Sequence, residues 1–78
     1  MNFDAWLGQQ QSAGRTFNEE QMWWLTEIRK HIEANLQIEP DDFELAPFAQ
    51  EGGLGKVYQL FGDELSTLIE QLNETLAA

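Results

Sequence analysis

Seventy-eight residues make one small domain, and a chain with no cysteine and one histidine cannot build a disulfide framework or the usual Cys/His zinc site. Fourteen acids stand against four bases, Arg15, Arg29, Lys30 and Lys56, for a net charge of −10. A protein so charged repels a polyanion, so direct DNA binding is disfavoured, and the acid excess reads either as solubility or as a match to a basic protein partner.

In chain order, Asn2 to Ser12 reads as a short helix, with Phe3, Trp6 and Leu7 on one face at i, i+3, i+4 spacing and Gly14 beyond its end. It has the look of a helix cut from a longer protein. Thr16-Phe17-Asn18-Glu19 fits a capping box, in which the threonine side chain takes an orphan amide and the glutamate reaches back to the cap. About five helical turns follow. Met22, Leu25, Ile28, Ile32 and Leu36 form one stripe, with Trp24, Ile28, His31 and Asn35 beside it. On the flank, Glu27 can meet Lys30 or His31, and Arg29 can meet Glu33.

Gln37 to Glu39 breaks the pattern, and Pro40 suits the first position of a short helical turn that points Phe43 inward. Leu45-Ala46-Pro47-Phe48 reads as extended, because the residue before a proline avoids the helical region. Gln50 to Gly55 forms a loop with three glycines in four positions, leading into a short helix, about Leu54 to Phe61, that buries Val57, Leu60 and Phe61. Gly62 stops it and Asp63 caps the last helix. There Leu65, Leu68, Ile69, Leu72 and Leu76 face one way and Glu64, Glu70 and Glu74 the other. This stripe is under two heptads long, so it suits packing onto the capping-box helix better than a free coiled coil. The expected fold is all-α: a small compact bundle of about four to five helices with one glycine-containing loop.

Several constellations resemble chemistry and fail on spacing. Gly52-Gly53-Leu54-Gly55-Lys56 lacks the G-x-x-x-x-G-K-[ST] order of a P-loop: Val57 stands where the hydroxyl should be and no strand precedes the loop. Its glycines serve a tight turn or the close approach of a partner's backbone. Pro40-Asp41 with Glu51 and Lys56 resembles a nuclease centre, but the acid and lysine are five residues apart rather than two. Asp41, Asp42 and Glu44 lack the ligand spacing of an EF-hand and suit a solvated helix start. His31, with no second ligand or nucleophile near it in sequence, reads as half-buried and structural. Of Trp23 and Trp24, one should join the core and the other stay partly exposed. Phe48 and Tyr58 suit either a protein interface or the core. No catalytic, cofactor-binding or metal-binding residue is identified.

Taken together, Thr16 to Gln21 with Trp24-Leu25 and Ile28, then Asp41-Asp42-Phe43, Pro47-Phe48, Gly52-Gly53, Phe61 to Leu65 and Leu72-Asn73-Glu74 resemble the C-terminal domain of the R subunit of type I restriction enzymes. The resemblance runs from about Phe3 to the final alanines. It implies a much larger parent chain, an ATP-dependent DNA translocase and endonuclease using ATP and magnesium. None of that parent's nuclease or ATPase motifs is present in these residues. It also implies a docking role, attaching the R subunit to a methyltransferase core of modification and specificity subunits, with DNA reached only through the parent complex. The absence of a credible active site in these residues makes the expected role non-catalytic. The segment expected to meet the partner runs from Pro47 to Tyr58, with Pro47, Phe48, Gly52, Gly53, Lys56 and Tyr58 as candidate contacts. Two other roles stay open: guiding DNA beside the motor, and acting as a purely structural cap on it. The lack of cysteine, of a signal-peptide pattern and of any apolar run near the roughly 20 residues of a membrane helix is in keeping with a cytoplasmic protein.

Overall fold

A computed structural model describes residues 2–76. The expected four to five helices resolve, among these residues, into four α-helices, α1 (Phe3–Ser12), α2 (Glu19–Asn35), α3 (Gly53–Phe61) and α4 (Leu65–Leu76), with three short 3-10 turns between them. The class is all-α.

Asn2 caps α1, its side-chain oxygen accepting from the Ala5 amide at 2.8 Å. At the other end Gly14 takes a left-handed conformation (φ +88°), so that Arg15 N–H reaches Gln10 O and Gly14 N–H reaches Gln11 O, the paired bonds of a Schellman stop. Phe3 and Trp6 are buried, and the Trp6 indole donates to Gln71 Oε1 at 3.3 Å, tying α1 to α4.

The capping box of α2 lies two residues later than Thr16 would set it. Asn18 is the cap: its side chain accepts from Gln21 N–H at 2.8 Å, and Gln21 Oε1 accepts from Asn18 N–H at 2.9 Å. Phe17 explains the shift. Its ring lies 6.3 Å from Trp6 and 6.4 Å from Phe61, which holds the chain extended until the helix can begin. Phe17 before the cap and Met22 four residues beyond it, both packed on the core, occupy the positions of a hydrophobic staple. The same Gln21 also donates to Leu60 O at 2.8 Å, locking the start of α2 to α3.

The buried face of α2 is Trp24, Leu25, Ile28 and Ile32, with Met22 partly buried. Leu36 leaves the expected stripe: it is the left-handed C-cap (φ +73°) and 71% exposed. Ile38 fills the core in its place. Both backbone polar groups of Ile38 are met by Asn73 on α4, whose Oδ1 accepts at 2.7 Å and whose Nδ2 donates at 2.9 Å.

Pro40–Glu44 is the expected turn, in 3-10 form, with Phe43 buried. The next segment departs from expectation. Leu45 is extended, but residues 46–48 form a turn through a cis Ala46–Pro47 peptide, with Ala49 N–H bonded to Leu45 O. This reversal delivers Phe48 into an aromatic cluster, 5.5 Å from Trp24 and 5.1 Å from Phe43. Of the tryptophan pair, Trp24 joins the core and Trp23 is half-buried. In α3, Val57 and Phe61 are buried and Leu60 only partly so. Asp63 does not cap α4; it lies inside a 3-10 turn, Gly62–Glu64, that runs straight into Leu65. Leu65, Leu68, Ile69 and Leu72 are buried, and α4 packs on α2 and α1.

Candidate functional site

The glycine turn is built by its own geometry. Gly52 has φ +117°, and a Cβ there would lie 2.6 Å from Lys56 Cβ, so no other residue fits without moving the helix. Gly53 is buried, its amide donating to Phe48 O at 2.9 Å. A Cβ on Gly53 would meet the Glu44 carboxylate at 3.2 Å. That carboxylate lies against the first turn of α3, where its Oε1 accepts from Leu54 N–H at 3.4 Å. Anions are favoured at the positive end of a helix, and here the chain supplies its own. Lys56, which in a P-loop would reach a phosphate, is held instead by Glu20 of α2 at 2.9 Å. The Leu54 amide and the Lys56 ammonium, the groups an anion would use here, are thus each engaged by a carboxylate of this protein.

The other residues with chemical potential are also engaged structurally. His31 is half-buried, with Nε2 3.3 Å from Asp42 Oδ2 and its ring edge-on to Phe48 at 6.1 Å. Asp42 also accepts from Glu39 N–H at 2.8 Å, closing the Pro40 turn. No group of three or more possible metal ligands comes together among the described residues.

The expected contact segment divides into an inner and an outer part. Phe48 and Gly53 are buried, Pro47 and Lys56 half-buried, and Gly52 and Tyr58 exposed. Phe48, entirely withdrawn into the core, supports the segment from beneath rather than forming its surface. Tyr58 is 46% exposed on the outer side of α3 beside Gly55 and Gln59, and Leu45, just after the Pro40–Glu44 turn, is 56% exposed. Leu45 had no signal in the sequence, because an extended reading of residues 45–48 leaves its orientation open.

All four bases are committed within the chain. Arg15 pairs with Glu64, Arg29 with Glu33 (2.8 Å), Lys30 with Glu27 (3.2 Å) and Lys56 with Glu20 (2.9 Å). Exposed pairs of this kind stabilise by only about 0–1 kcal/mol each. Their consequence for recognition is larger. Of the fourteen acids, four take a Lys or Arg partner, and the remaining ten (14 − 4) stand without one. No helix among the described residues is long and apolar enough to cross a membrane.

No curated protein and no solved structure matches the chain. A family model described as EcoEI R protein C-terminal matches residues 1–77, nearly the whole length, and the chain therefore belongs to that family, the C-terminal domain of a type I restriction enzyme's R subunit.

Proposed function

We propose that this chain is a non-catalytic docking domain that attaches the R subunit to the methyltransferase core of modification and specificity subunits. One observation carries the reading: each of the four basic side chains already faces a carboxylate of the same chain, so the surface offers a partner negative charge and aromatic or aliphatic contacts. Phosphate binding draws on free Lys and Arg that displace counterions. A surface of the opposite character favours protein over DNA. α2 and α4 form the rigid support, and the segment from Pro47 to Tyr58 is presented on it.

In mechanism, the domain holds the motor at the recognition complex, so that translocation draws DNA past a fixed point. ATP and magnesium belong to the rest of the R subunit, and DNA is met through the assembled complex. A pull-down of the methyltransferase core by R subunit with and without residues 1–77 tests this. Loss of core binding on deletion is expected, and unchanged binding would overturn the proposal. A domain that guides DNA would instead produce a gel shift on its own at low salt. A structural cap would lower the R subunit's melting temperature on deletion yet leave assembly intact.

A further inference from the structure

Gly55 has no structural reason to be glycine. It lies within α3, its φ is outside the left-handed region, and a Cβ there would meet nothing within 4 Å. Glycine inside a helix is destabilising relative to alanine, because it surrenders more backbone freedom and adds no packing. The residue is exposed, and Tyr58, exposed as well, lies three positions on, adjacent on the helix surface. Together they leave a stretch of uncovered helix backbone beside an exposed aromatic ring. Leu54, half-buried, stands one turn before Tyr58, and its amide meets Glu44, which places the turn carrying exposed Leu45 at the same end of α3.

Charge selects the occupant. The segments leading to this face carry Glu39, Asp41, Glu44 and Glu51, all exposed and none paired with Lys or Arg. The base within α3, Lys56, is turned to Glu20. A second copy of the chain would bring another −10 against this surface, and DNA or an anionic lipid headgroup would be repelled in the same way. We infer that the Gly55–Tyr58 face of α3 is the docking face, and that it takes a basic amphipathic segment of a partner protein, with an apolar side chain laid over the Gly55 backbone against the Tyr58 ring and Lys or Arg against the acidic rim. This rests on the docking reading and gives it a location and a chemistry.

The test uses the complete R subunit and the methyltransferase core of its own system, with binding measured across a salt series. Gly55→Gln and Tyr58→Ala are each expected to weaken association about tenfold or more, as loss of a central contact does. Reversing Asp41 and Glu51 to lysine together should weaken it and flatten its salt dependence. Gly8→Ala is the control, because Gly8 is also a helical glycine with open space but lies in α1. It should leave binding unchanged. Thermal melts separate these effects from misfolding, since Gly55→Gln should fold at least as stably as the parent. If deleting residues 1–77 abolishes binding while all the α3 and rim variants bind normally, the face is wrong and the docking reading stands. If deletion has no effect, the docking reading fails. The face is then judged by titrating the 15N-labelled chain with a synthetic Lys/Leu amphipathic helix: shifts confined to Leu45 and residues 54–59 sustain it, and dispersed or absent shifts overturn it.

Discussion

Asn73 carries a structural role out of proportion to its size. Its amide closes both backbone groups of Ile38, a residue buried to 1% exposure, and so stitches the segment after α2 onto α4. Removing a partner from a buried amide and carbonyl exposes the full cost of their desolvation, about 1–3 kcal/mol per group. Asn73→Ala should therefore lower unfolding free energy by about 2–4 kcal/mol, read as a reduced urea midpoint with an unchanged slope. Leu36 invites the opposite change. A non-glycine residue at φ +73° gives up roughly 1–2 kcal/mol, and this one is mostly exposed. Leu36→Gly should raise stability by about 0.5–1 kcal/mol, after the glycine's greater freedom in the unfolded chain is deducted. Neither role was legible in the sequence. Leu36 continues the spacing of an apolar stripe, and Asn73 follows Leu72 with nothing to show that its partner lies 35 residues away.

Among the elements, helices with a strong one-sided pattern were legible and their ends were less so. The α4 stripe appears where spacing placed it, because four large side chains on one face leave a single way to bury them. The start of α2 was ambiguous in principle: Thr16-x-x-Glu19 and Asn18-x-x-Gln21 both satisfy the chemistry of a capping box, and a distant contact of Phe17 chose between them. This choice predicts an asymmetry. Asn18→Ala should destabilise the fold by about 1 kcal/mol, whereas Thr16→Ala should change it by less than about 0.5 kcal/mol. Equal effects in thermal melts would contradict the assigned cap. The turn at residues 46–48 escaped sequence reasoning for a similar reason. Pro47 signals only that helix is disfavoured before it, and the demand that Phe48 reach Trp24 and Phe43 comes from the assembled core.

For the molecule as a whole, one core gathers all four helices and the Pro40 turn, and Trp24 is its largest fully buried side chain. Trp24→Ala should cost about 3–5 kcal/mol, against a total stability of roughly 0.05–0.15 kcal/mol per residue. In a chain of this length that leaves little margin, so the variant should show weakened helical circular dichroism and poorly dispersed amide spectra at 37 °C. The candidate surface was legible in part. Tyr58 and the glycine turn stood out, but Phe48 went inward, and the acid excess gained its meaning only when each base proved to face an internal carboxylate. Acidity read from composition fixes the sign of the surface. Each of the four bases lies beside a carboxylate of the same chain.

The claim that this surface meets protein is tested most directly by calorimetric titration of the 78-residue chain into the purified methyltransferase core without DNA. The docking account predicts saturable binding that weakens as salt rises. An absence of binding at low salt, with the same chain shifting duplex DNA in a gel, would contradict it.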